Sequence, residues 1–391
     1  MSAVSLFSPP KGTHYVLPPS DAKRRQLVDR LRKLYSSWGY QSVDTPAIDF
    51  YDPQHPAAAR SFTLSDSDAA VLALRADFTP AIAKMVQAHY PQTSQPLRFQ
   101  YSGKTWQTVA PDLARTREFT QVGIELVGVS NARADAEVIH LARQSLYSVG
   151  LLPRLEIGHP GFVRTLFQLA GISAKEQEQL AYWIDNKSPA GIAERLSRLG
   201  LAPDLHRAIL LSSDLYGDMR TLGQARALAP WPEALAVLDR LEAVINEFDD
   251  PKELSIDLAM ARRLDYYTGV TFRAYTPEFG QPILGGGRYD HALLPYAAGF
   301  SLGLERMLSA IAPDYPCDKS LVLSLDDAQA QHLRNHGVVV ERALSDTLEQ
   351  ARLEAQARDI PFVLGPQGLE SLGEHPETKR LQALLSGVNY G

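Results

Sequence analysis

The chain alternates between two hydrophobic rhythms. Apolar residues recur every three or four positions along Ser20 to Trp38, where Leu27, Leu31, Leu34 and Tyr35 share one stripe. The spacing predicts an amphipathic helix, with Ser20 as its N-cap and Gly39 as its stop. YQSVDTPAIDF, residues 40–50, follows with strand character and crosses Pro46, which suits an edge strand or a bulge. Leu72 to Val86 reads as strand, turn and helix, with Thr79 and Pro80 at the helix start. RFQYSGKTWQTVAPDLARTREFTQVGIELVG, from Arg98 to Gly128, reads as strand, loop, strand. Its second strand has period two: Thr120, Val122, Ile124 and Leu126 lie on an apolar face, and Phe119, Gln121, Gly123, Glu125 and Val127 on the other. An amide, a missing side chain and a carboxylate in a row leave a gap flanked by polar groups, as a small polar ligand requires.

Ala134 to Val149 has a helical pattern and PRLEIGH, residues 153–159, a strand pattern. From about Pro160 to Asp250 the period is helical throughout, as Leu238, Leu241 and Ile245 illustrate, so this stretch reads as a helical insertion. Strand character returns over residues 254–275, followed by GGGRYD at 285–290 and a small-residue helix over GFSLGLERMLSAI, residues 299–311. A boundary is expected near residues 312–319. Beyond it, SLVLSL and IPFVL are short buried-type strands, and 327–358 reads mostly as helix broken around Gly337. The expected division is therefore residues 1–312, with the helical insertion at about 160–250, and a small α/β unit at 318–391.

Composition narrows the classes. The chain has 391 residues, 45% apolar and 21% charged, enough for two or three domains of an ordinary soluble protein. No apolar run approaches the roughly 18 residues of a membrane span. The N-terminus lacks a basic start before an apolar core, so no secretory signal is expected. With one cysteine, Cys317, there is no internal disulfide, and a cytoplasmic location is the simplest expectation. The ten histidines show no metal-ligand spacing, so no metal and no cofactor are expected. A net charge of −6 disfavours nucleic acid as a partner.

A series of motifs in order carries a resemblance over most of residues 8–312. GTHYVLPPSDAKRRQLVDRLRKLYSSWGY with TPAIDFYD resembles the opening and motif 1 of histidyl-tRNA synthetase. Its LRPEGT is similar to Leu74-Arg75-Ala76-Asp77-Phe78-Thr79, and its motif 2 to residues 98–128. Its RGLDYY is similar to Arg262-Arg263-Leu264-Asp265-Tyr266-Tyr267. GGGRYD is present, and GFSLGLER resembles motif 3. The resemblance implies an α+β fold, a class II aminoacyl-tRNA synthetase-like antiparallel sheet flanked by helices. It also implies histidine-binding roles for Asp77, Thr79, Arg115, Gln121, Glu125, Arg262, Tyr266 and Tyr267. Asp77 is one methylene shorter than the family's glutamate, and Arg263 stands where the family has glycine.

The motif 2 loop departs from the synthetase. The family's FRHERP is Trp106-Gln107-Thr108-Val109-Ala110-Pro111 here. Gln107 replaces the arginine that grips the α-phosphate of ATP, Val109 the glutamate, and Ala110 the second arginine. A neutral amide lacks the bidentate, charged contact that a phosphoryl oxygen takes, and such a loss costs about 3–4 kcal/mol in the transition state. The pattern is similar to a second family with the same core, the regulatory subunit of ATP phosphoribosyltransferase, a synthetase paralogue without aminoacylation. That resemblance implies no catalysis by this chain and a partner in the short-form catalytic subunit. It further implies self-association as a core dimer within a hetero-octamer, and histidine as feedback effector. The alternatives are a competent histidyl-tRNA synthetase and a stand-alone histidine-binding pseudo-synthetase. Against the synthetase, the region from Asp318 onward holds eleven acidic and seven basic side chains, a poor anticodon-binding surface.

Overall fold

The computed structural model describes residues 8–55, 57–91, 95–109, 116–250, 254–260, 267–311 and 321–387. The chain divides into two compact units, residues 1–315 and 316–391. In the first, helix α1 spans Ser20–Ser37 and buries Leu27, Leu31 and Tyr35, the stripe legible in the sequence. Ser20 is its first residue rather than its cap. Pro19 holds the cap position with φ −85° and ψ 0°, already near helical values, and no side chain caps the end. Gly39, at φ +81°, turns the chain away just beyond the helix.

Residues 40–50 do not form one strand. Strand β1 (Gln41–Ser42) and strand β2 (Ile48–Phe50) belong to different sheets. Pro46 between them has no N–H to donate, so the ladder cannot run through it. Strands β3 (Thr63–Ser65) and β4 (Val71–Leu74) complete a small sheet in the order β2-β4-β3. Helix α2 (Thr79–His89) starts one short turn after β4, with Pro80 in its first turn, where a missing N–H costs nothing.

Then come β5 (Leu97–Trp106), β6 (Glu118–Val127), helix α3 (Ala132–Tyr147) and β7 (Arg154–Gly158). Six helices follow: α4 (Gly161–Leu169), α5 (Ala174–Asp185), α6 (Pro189–Leu196), α7 (Pro203–Leu211), α8 (Arg220–Leu228) and α9 (Pro232–Ile245). They are interrupted by the two-residue strand β8 (Tyr216–Gly217). The unit ends with β9 (Leu254–Asp257), β10 (Thr271–Thr276), β11 (Phe279–Arg288), β12 (Ala297–Gly303) and helix α10 (Leu304–Ala310). The GFSLG segment expected to open a helix is thus strand. It pairs on both sides, with β6 and β11, and its small residues suit a central position with close neighbours. GGGR is likewise strand.

Nine strands form the main sheet in the order β1-β5-β6-β12-β11-β10-β7-β9-β8. All adjacent pairs are antiparallel except β1 with β5 and β7 with β9, so the sheet is mixed and mainly antiparallel. One face carries Val122, Ile124 and Leu126 into the large core, together with Ile157, Phe272 and Phe300. Phe162, Leu180 and Leu241 of the six-helix segment join that same core, so the segment shares its apolar interior with the sheet. The other face is covered by α2, whose Ile82, Ala83 and Val86 meet Phe99, Tyr101 and Val127.

In the second unit, β13 (Val322–Ser324), α11 (Asp327–Asn335), β14 (Val340–Arg342), α12 (Leu348–Ala357), β15 (Phe362–Gly365), β16 (Gly368–Ser371) and α13 (Thr378–Ser386) form a four-stranded α/β unit. The strand order is β14-β13-β15-β16. Strand β14 falls inside the stretch expected to be helix. Gly337, at φ +76°, ends α11, and the Val338-Val339-Val340 run then favours extended backbone beside β13.

Candidate functional site

The site lies on the α2-covered face of the main sheet. On β6, Gln121 and Glu125 point to this face and Gly123 lies between them. The turn from β4 into α2 brings Asp77 and Thr79 over the same strand. Two pairs result. The Gln121 Nε2 donates to Asp77 Oδ1 at 2.9 Å. The Thr79 hydroxyl donates to Glu125 Oε1 at 2.6 Å. Four of the eight residues expected from the sequence therefore meet in one place. Tyr267, half-buried, packs against the same apolar cluster. Arg115, Arg262 and Tyr266 lie outside the described residues, as do Ala110 and Pro111 of the loop.

A residue missed in the sequence completes the arrangement. The hydroxyl of Tyr289, from GGGRYD, donates to Glu125 Oε2 at 2.5 Å. The motif was visible, but its reach to Glu125 depends on strand pairing: Glu125 stands opposite Gly299, and Gly299 opposite Gly287. Tyr289 follows Gly287 by two residues and so faces the same way. Glycine is required at 299, because a Cβ there would come within 2.0 Å of the Glu125 carboxylate.

Glu125 is 1% exposed. Burial pushes its carboxyl up to about 8, opposed by the hydrogen bonds from Thr79 and Tyr289. Near neutral pH it is largely protonated, so it can donate as well as accept. Its partners among the described residues are two hydroxyls rather than a cation.

The gap at Gly123 is not open. The phenol of Tyr101, directly across on β5, lies over it. A Cβ at position 123 would sit 2.5 Å from the Tyr101 oxygen and 2.3 Å from the Phe300 carbonyl. The sequence-based expectation of an empty seat on the sheet is corrected accordingly: glycine makes room for a neighbouring side chain. Gly123→Ala is expected to destabilise the fold by about 1–3 kcal/mol through overpacking, measurable as a lower chemical-denaturation midpoint.

The described start of the motif 2 loop is tied into the fold. The Gln107 side-chain amide donates to the Ala76 carbonyl at 2.9 Å, and the Gln107 backbone N–H to the Arg117 carbonyl at 2.9 Å. The side chain that replaces the phosphate-gripping arginine thus anchors the Asp77 turn. Arg75 holds this turn from the other side, donating to the Lys104 carbonyl at 3.1 Å with its guanidinium 3.7 Å from the Phe78 ring centroid. Arg306 of motif 3 donates to the Pro282 carbonyl at 2.9 Å.

Arg288 of GGGRYD is structural. It is 4% exposed. Its guanidinium donates to Asp135 at 2.6 Å, to Asp290 at 2.8 Å and to the Val129 carbonyl at 2.9 Å. Arg240 of α9 meets the second oxygen of Asp135 at 2.6 Å. This network ties α3, α9 and β11 together behind the site. Among the described residues, no group of three or more His, Cys, Asp or Glu side chains is placed to hold a metal ion. Nor does any described helix have the length and apolarity to cross a membrane.

Comparison with known proteins follows the same lines. The sequence model of the histidyl-tRNA synthetase family matches residues 12–307. The chain is 40% identical over 360 residues to the ATP phosphoribosyltransferase regulatory subunit of Deinococcus radiodurans, covering 92% of this chain and 89% of that relative. It is 40% identical over 318 residues to the protein of the same name from Thermus thermophilus, covering 81% of this chain and 87% of that one. Among solved structures, an ATP phosphoribosyltransferase regulatory subunit/histidyl-tRNA synthetase from Bacillus halodurans superposes with a TM-score of 0.80 at 23% identity, over 92% of this chain and 98% of that one. The histidyl-tRNA synthetase from Nostoc gives 0.78 at 22% identity, over 94% and 95%. At these identities the structural likeness shows the class II synthetase-like fold.

Proposed function

The chain belongs to the ATP phosphoribosyltransferase regulatory subunit family, and from that premise we propose how it regulates. It takes histidine in the pocket formed by Asp77, Thr79, Gln121, Glu125 and Tyr267, with Arg115, Arg262 and Tyr266 contributing. It activates a short-form catalytic subunit, and histidine reverses that activation. The assembly is a cytoplasmic hetero-octamer built on dimers of the class II core. The observation that carries this reading is the split within motif 2. The strand side keeps Gln121 and Glu125, paired with Asp77 and Thr79, while Gln107 on the loop side is turned to the Ala76 carbonyl.

The pocket chemistry fits an amino acid. Asp77 and the Gln121 carbonyl oxygen are acceptors for an ammonium, and Glu125 can serve an imidazole. Regulation requires that histidine bind one state of the assembly better than another, since equal affinity for both shifts nothing. Thr79 opens α2 and is bonded to Glu125. A ligand competing for Glu125 therefore acts on that helix directly.

Co-purification with a short-form catalytic subunit, followed by phosphoribosyltransferase assay, tests the proposal. Activity should rise on adding this chain and fall again with histidine; failure to associate would overturn it. The chain is also proposed to lack aminoacylation. Histidine-dependent ATP–pyrophosphate exchange should be absent in the wild type and in Gln107→Arg, because Val109 and Ala110 remain. Robust exchange by the purified wild type would establish a competent synthetase instead.

A further inference from the structure

Tyr101 holds the least explained polar atom of the site. It stands opposite Gly123, and its ring stacks on Phe78 with centroids 4.6 Å apart and planes 18° apart. The residue is 2% exposed. Its hydroxyl is fully buried and makes no hydrogen bond of good geometry among the described residues. The Thr79 hydroxyl, which donates to Glu125, is close by but does not reach hydrogen-bond geometry with the phenol. A buried hydroxyl with no partner is costly, and such groups in native proteins are usually explained by a ligand, an ion or a water.

The surroundings say what kind of partner would satisfy it. Burial, and then the Glu125 and Asp77 carboxyl groups, push the phenol's pKa well up. It therefore stays protonated and has a hydrogen to give. An acceptor placed here stands beside two acids, which disfavours a further carboxylate and favours an uncharged atom. Neutral imidazole has one such atom, since one ring nitrogen carries hydrogen and the other is bare.

Resting on the histidine reading above, we propose that Tyr101 is a ligand-recognition residue, its hydroxyl donating to the bare ring nitrogen of bound histidine while Glu125 takes the ring N–H. The flat position of the phenol over Gly123 fixes where that donor lies. It also explains why the strand pair needs glycine at this point.

Tyr101→Phe removes the hydroxyl and keeps the ring stacked on Phe78. Titration calorimetry with L-histidine should show affinity about three- to tenfold weaker than wild type, the scale of one lost hydrogen bond. The thermal midpoint without histidine should be unchanged or higher, because the lost group has no partner in the ligand-free fold. Equal histidine affinity in the two proteins would overturn this assignment and leave the histidine site standing. A clearly lower midpoint in the ligand-free variant would also overturn it, by showing a partner within the fold. If wild type binds no histidine, the underlying reading falls and this one with it.

Discussion

Glu125→Gln is expected to weaken histidine binding roughly tenfold or more. Glu125 sits at the centre of the site, between the Thr79 and Tyr289 hydroxyls. A buried polar group left without its matching partner costs about 1–3 kcal/mol, and 1.4 kcal/mol is a factor of ten in affinity. Titration calorimetry checks this, and unchanged affinity would remove Glu125 from the pocket. The same substitution has a pH signature. The folded pKa of about 8 lies above the ordinary 4.5, so the fold holds this proton more tightly than the unfolded chain does. No penalty exists below pH 4.5. As pH rises from there to about 8, ionisation favours the unfolded state, and the penalty levels off above. Glutamine does not titrate. Between pH 5.5 and 8.5 the variant should therefore gain about 3 kcal/mol of stability relative to wild type. Denaturant titrations at the two pH values measure it, and a pH-independent difference would contradict the raised pKa.

Asp135→Ala should cost about 3–5 kcal/mol of folding stability, the typical result of stranding a buried charge. Asp135 receives Arg288 and Arg240, and both Asp135 and Arg288 are almost fully buried. Asp290 alone then remains to Arg288, beside the Val129 carbonyl. Replacing the pair together, Asp135→Leu with Arg288→Met, should recover part of the loss, because the charges that then lose a partner, Arg240 and Asp290, are less buried than Arg288. Urea midpoints of the single and double variants decide the matter. A single variant within about 0.5 kcal/mol of wild type would show that the network is dispensable.

Much of the architecture was legible because each segment obeys one rhythm. The stripe of α1, the alternation of β6 and the strand-turn-helix ending in α2 follow from periodicity, since a helix or strand with one buried face must repeat its apolar positions. The readings that failed lay where local preference and tertiary pairing disagree. GFSLG has small residues that suit a tight helix, yet two neighbouring strands claim its backbone. Residues 40–50 look continuous, yet Pro46 hands the chain from one sheet to another. Val340 to Arg342 sits inside a helical window, yet a parallel neighbour makes it strand.

The site shows the same division. The sequence alone determined which groups face together on β6: with a period of two, Gln121, Gly123 and Glu125 cannot be separated. It also determined that Gln107, Val109 and Ala110 stand where the synthetase motif carries charged side chains, because folding does not change which side chain a position carries. Only the tertiary structure decided what those groups touch. Strand register placed Tyr101 over Gly123 and Tyr289 against Glu125, from positions 22 residues before Gly123 and 164 residues after Glu125. Periodicity fixes the side to which a residue points; its partner is set by how strands pair across the sheet, and that is decided by packing of the whole core.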